Sequence, residues 1–405
     1  MKKGKIYLIL VLTLMLLVTW LDGVAMADVY ETKDKFLTEI TTEELTNYAL
    51  NFAKDFNGSL NLETRDMIPI YNNNNVLVGY SISYYIGETP YGYINLDFSY
   101  DDPVTEFVIN ENSPSLYDNL ADSAVNNVGN EITIGEKLYN TAPLDFTIEV
   151  KDKSNQDFYY NNREKMPSYK FRDFQNKSKS TFKVNNQSTS ATKYNSHSDL
   201  FSSSYESGST LVTGPTYTSK YSSSKSLISQ KTIMTSTYKY ACAVVALTEV
   251  ARQEGILKNS SITDTFNALW TSTSTSEEST GNFYGYTITL GSTKDSKLGS
   301  GMKSYCEDRG KTNTTTTSSS NPSFSFFTGS IASNYSTTLS YRILETSGEE
   351  SGHTVNVVGY CTAKKSGTTS NYLIVADGWY DDAPKYMNYT SIDFVDTYGV
   401  KYVIK

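Results

Sequence analysis

The chain has 405 residues and a formal charge of −9, and only 20% of it is charged, with 33 tyrosines and much Ser, Thr and Asn in the remainder. That length suits two ordinary domains, and the negative balance excludes a protein that meets phosphates on a basic face. Three cysteines (Cys242, Cys306, Cys361) and two histidines (His197, His353), with no CxxC pair and no EF-hand spacing, argue against a Cys/His metal centre or a calcium loop, so no cofactor is expected.

The N-terminus has the order of a secretory signal. Lys2, Lys3 and Lys5 precede an apolar run from Ile6 to Trp20, and Ala25-Met26-Ala27 supplies a small-x-small site. Residues 1–27 therefore read as a signal peptide, and the product as secreted or wall-associated, with no membrane contact after cleavage. Next, Thr41 with Glu44 forms a capping box, and Leu45, Tyr48, Ala49, Phe52 and Phe56 recur at helical spacing. Alternating strands follow at 76–84, 91–96 and 105–109. Residues 28–150 thus read as a small α+β domain without catalytic residues.

From 151 to about 220 the chain is rich in Ser, Asn and Lys, apolar periodicity fades, and a linker is expected. His197 falls within it and receives no role. Residues 221–405 read as a second α+β domain. A helix over 241–254 is apolar on all sides at its start and must be buried. Another helix follows over 262–269, a Ser/Thr-rich loop over 312–320, and strands at 354–360, 372–376, 385–389 and 400–404.

Three positions carry candidate chemistry. Cys242 enters the buried helix, where unpaired N–H groups and the helix dipole favour a thiolate and a developing oxyanion. An odd cysteine count in an exported chain leaves at least one thiol unpaired. His353 follows Gly352 at the start of a strand, which would hold an imidazole fixed as a general base requires. Asp377, at the end of the next strand, could orient the far nitrogen of His353, with Trp379 covering the pair.

This order resembles the papain-like cysteine peptidases, and within them the streptopain family and related secreted bacterial peptidases. The resemblance implies a papain-like fold, Cys242 as nucleophile, His353 as base, Asp377 in the third position and Trp379 as the tryptophan that follows it. It also implies that Leu339 to Ser351, together with Gly352 and Trp379, lines the cleft. The runs Ile68-Pro69-Ile70-Tyr71, Val78-Gly79-Tyr80 and Gly92-Tyr93-Ile94-Asn95-Leu96 resemble the streptopain propeptide and its inhibitor homologues. That implies a zymogen whose N-terminal domain is an intramolecular inhibitor, and a protein or peptide as substrate. The family's oxyanion glutamine is replaced by Ser236, with Gln230 nearby, and Ala241-Cys242-Ala243 replaces the usual Cys-Gly context. Two other readings stand beside this one. A peptidoglycan amidase or endopeptidase would show Asp-Cys-Ser and wall-binding repeats, which are absent from the sequence. A surface binding protein with a degenerate peptidase domain would carry inert thiols.

Overall fold

A computed structural model describes residues 40–171 and 227–405, apart from 73–74, 101, 130, 143, 162–164, 169–170, 345–349, 366–367, 393 and 395. The expected signal peptide, His197 and most of the expected linker lie outside these residues. Among the described residues the protein is mixed α+β, with seven α-helices, a fourteen-stranded mostly antiparallel sheet and a three-stranded sheet. No helix among them is long and apolar enough to cross a membrane.

Helix α1 (Thr42–Phe56) begins as the sequence predicts. The Glu44 N–H donates to the Thr41 hydroxyl, and the Thr41 N–H donates to the Glu44 carboxylate at 2.8 Å. Its face of Leu45, Tyr48, Ala49, Phe52 and Ala53 is buried. Strands β1 (Glu63–Tyr71), β2 (Leu77–Ile86), β3 (Thr89–Asp97) and β4 (Val104–Ile109) form an antiparallel meander. Helix α2 (Leu116–Val128) follows, capped by Ser115. Strand β5 (Ile132–Ala142) pairs in parallel with β1 and leads into β6 (Asp145–Asp152), β7 (Asp157–Tyr160) and β8 (Lys165–Pro167).

Regular structure therefore continues past residue 150, where the linker was expected. Phe158 and Tyr160 bury into the N-terminal core, a two-residue alternation too short to register against the polar residues around it.

The C-terminal part opens with α3 (Gln230–Thr237), β9 (Lys239–Tyr240) and α4 (Cys242–Gln253). Helix α5 (Ile262–Ser272), the hairpin of β10 (Ser276–Phe283) and β11 (Tyr286–Ser292), and α6 (Asp295–Glu307) come next. The Ser/Thr-rich run expected as a loop is partly a strand, β12 (Thr315–Ser320). It pairs residue for residue with β17 (Thr397–Val403), where β-branched threonines suit a half-solvated edge. Helix α7 (Phe324–Ala332) and strands β13 (Ser336–Leu344), β14 (Glu350–Lys365), β15 (Thr368–Ala376) and β16 (Lys385–Asn388) complete the fold.

The order across the large sheet is β12-β17-β13-β14-β15-β16-β4-β3-β2-β1-β5-β6-β7-β8. The two halves of the chain are thus one sheet, joined where Tyr386 and Met387 of β16 pair with Phe107 and Glu106 of β4. Alternate residues of β14 to β16 serve two cores. Val355, Val357, Leu373, Val375 and Met387 join the cluster that holds α4, whereas Val358, Cys361, Tyr372, Ile374 and Tyr386 join the cluster built on α1 and β2 to β4.

Candidate active site

Helix α4 starts abruptly. Its N-cap is Ala241, which has no side-chain acceptor, so the first-turn N–H groups are left for other partners. Behind Cys242 the helix is buried continuously from Ala243 to Ala251, which fixes its position against β14. The Cys242 thiol, half-buried, donates to Gly352 O at 3.6 Å. Burial pushes this thiol up; the N–H groups of Thr354 and Ala243 and the Thr354 hydroxyl oppose that shift, and Asp295 adds to it. Asp295 opens α6, and its own carboxyl is raised by burial.

Gly352 and Thr354 flank His353 on β14, so the sulfur lies against the strand at the position of the histidine. The imidazole itself is buried. His353 Nε2 is 3.0 Å from the main-chain oxygen of Asp377, and the ring stacks on Trp379 with centroids 4.2 Å apart and planes 16° from parallel. Tyr341 meets the ring edge-on at 5.6 Å. The sulfur's hydrogen bond goes to Gly352 O, the carbonyl of the residue before the histidine.

The third position also differs from expectation. The group that meets His353 is the carbonyl of Asp377, not its carboxylate. Asp377 Oδ1 accepts from the N–H groups of Trp379 at 3.0 Å and Tyr380 at 3.4 Å, and Oδ2 pairs with Lys385 Nζ at 3.0 Å. The carboxylate thus shapes the turn that presents the carbonyl and the indole. Gly378 makes the turn possible: its φ of +77° is left-handed, and a Cβ there would sit 3.2 Å from Val245.

Of the two expected oxyanion donors, Ser236 is spent within its own helix, donating to Thr232 O at 2.7 Å. Gln230 is buried in the first turn of α3. The Ala243 N–H in the first turn of α4 and the Thr354 N–H and hydroxyl on β14 are donors beside the sulfur. A Cβ at Gly352 would meet nothing within 4 Å, so the flank beside the thiol is open there.

Thr354, Lys385 and Glu106 were not legible as site residues. Lys385 is buried beside Pro384, and a buried lysine is almost always paired, but that burial belongs to the fold and not to the sequence. All three cysteines are free. Cys306 packs in the α4 core and Cys361 in the α1 core, so they do not pair. Among the described residues no group of three or more His, Cys, Asp or Glu side chains could hold a metal ion.

The N-terminal part meets the C-terminal part in two further places. Leu144, in the left-handed turn between β5 and β6, is buried in the same cluster as Val245, Tyr341 and Trp379. The Tyr284 N–H, in the β10–β11 turn, donates to Asn127 Oδ1 at the end of α2. No family model matches the chain, and a search of curated proteins finds no match.

Proposed function

We propose that the protein is a secreted cysteine endopeptidase of papain-like design, made in a latent form. The observation that carries the reading is the placement of the Cys242 sulfur, at an uncapped helix start, against the two residues that flank a buried histidine. The fixed ring supports it further. With Nε2–H donated to Asp377 O, the role of base falls to the other ring nitrogen of His353, Nδ1.

In the reaction, the thiol leaves Gly352 O and gives its proton to His353 Nδ1. The sulfur attacks the peptide carbonyl, and the tetrahedral oxyanion is held by first-turn N–H groups of α4. Collapse breaks the C–N bond. The leaving amine takes the proton from the imidazolium, and a thioester remains on Cys242. Water, deprotonated by His353, hydrolyses the thioester and restores the thiol.

Latency follows from the thiol's present surroundings. A thiol raised by burial and bonded to a carbonyl is the protonated, weakly nucleophilic form. The N-terminal part, through the Leu144 turn and the Asn127–Tyr284 contact, restrains the elements around Cys242 and acts as the internal inhibitor.

The test is hydrolysis of casein by protein cut between residues 172 and 226. Cys242→Ala is expected to lower the rate by about three orders of magnitude or more. Undiminished hydrolysis by the alanine variant would remove Cys242 from the mechanism.

A further inference from the structure

Lys385 is a buried cation shared between the two halves of the chain. Its ammonium lies 3.0 Å from Asp377, whose turn presents the acceptor to His353, and 3.4 Å from Glu106 on β4 of the N-terminal part. Glu106 in turn accepts from the hydroxyl of Tyr93 on β3. Burial opposes the charge on Lys385, but Asp377, Glu106 and Tyr93 outweigh it and hold the ammonium well above its ordinary range. All four side chains are buried. A second polar group crosses the same seam: Asp102 accepts from Tyr372 OH at 3.0 Å and from Asn388 Nδ2 at 3.2 Å.

The seam is otherwise apolar. Phe107 stacks on Tyr386 at 4.5 Å and meets Tyr372 edge-on at 5.4 Å, and Phe56 of α1 meets Tyr386 at 5.1 Å. Loss of the N-terminal part would leave β16 as an unpaired edge. It would also bare Tyr372, Ile374 and Cys361 to water and strip Lys385 of one of its two carboxylates. A joint made of sheet pairing, aromatic packing and a buried charge relay has the character of a permanent interface, not of a detachable cap.

We propose that the N-terminal part stays docked after the connecting segment is cut, as a permanent half of the working enzyme, with Glu106 a positioning residue that holds the Asp377 turn through Lys385. This rests on the peptidase reading for the role of the turn, though not for the docking itself. Docking and restraint lie in different elements: α1, β3 and β4 form the joint, whereas the β5–β6 turn carries Leu144 toward the site. Activation by cutting therefore requires that the β5–β6 turn shift while the joint holds.

The experiment inserts a site for a sequence-specific protease between residues 172 and 226 of the full chain, cuts it, and runs gel filtration in 1 M NaCl. Both fragments are expected to co-elute at the size of the uncut chain, since a buried joint is little screened, with peptide hydrolysis in that fraction. Elution of the C-terminal fragment without its partner, folded or aggregated, would overturn the proposal. Cut Cys242→Ala should co-elute in the same way without activity, so failure of the peptidase reading and failure of docking give different results. For positioning, Glu106→Gln is expected to lower kcat at least fivefold with KM changed less than twofold, and Glu106→Asp to restore most of the loss. Equal kcat in all three co-eluting proteins would remove Glu106 from that role.

Discussion

At the scale of single residues, side-chain identity told more than side-chain direction. Cys242 and His353 stand out because each type is rare here and each sits at the start of a regular element. Asp377 was legible as a residue, but its role was not. Sequence spacing cannot tell a carboxylate that orients a base from one that shapes a turn and lends its carbonyl. The Lys385 relay was invisible because Glu106 lies 279 positions before its partner (385 − 106). The same neighbourhood yields a pH prediction. Burial pushes the Asp382 carboxyl up to about 6 from 3.8, against the pull of Lys385 and nearby N–H groups. Between those two values the folded protein binds the proton and the unfolded chain does not. The stability contributed by this group is therefore full below about 3.8 and falls as pH rises through about 6. Asp382→Asn should accordingly match the wild type in urea unfolding at pH 4 and exceed it by ~1–3 kcal/mol at pH 7. An identical difference at the two pH values would show that the carboxyl titrates normally.

At the scale of elements, legibility followed the strength of the local signal. Helix α1 carries both its capping box and its apolar stripe in consecutive residues, and it begins at Thr42 as they dictate. Helix α4 was evident from its unbroken apolar start. Strand β12 was missed because TTTSSS is low in apolar content and gains its structure from pairing with β17. The turn after β15 offers an element-scale test. A side chain at Gly378 meets a left-handed φ and the Val245 side chain together, so Gly378→Ala is expected to cost about 1–2 kcal/mol. It should also displace the Asp377 carbonyl and the Trp379 indole from His353, lowering kcat/KM of the cut enzyme at least tenfold. A melting temperature and kcat/KM both equal to wild type would show that the turn has no influence on the histidine.

At the scale of the whole molecule, apolar periodicity pointed to the α+β class and could not give the sheet. Two runs of strands, at 76–109 and 354–404, read as two domains because each has its own helix and its own alternation. Only the pairing of β16 with β4 shows that they share one sheet. Short strands of four to six residues carry too little pattern to name a partner so distant in sequence. The same pairing places most of the large sheet's second core in the N-terminal part, so latency depends on both halves of the chain. The proposed chemistry is local, with Cys242 as a nucleophile activated by His353. The most direct measurement is intact-protein and peptide mass spectrometry after the cut protein is treated with a peptidyl epoxide at neutral pH. One adduct is expected, on Cys242, with none on the buried Cys306 and Cys361 and at least a hundredfold slower labelling in His353→Ala. Adducts spread over the three cysteines, or labelling of Cys242 at the same rate without the imidazole, would contradict it.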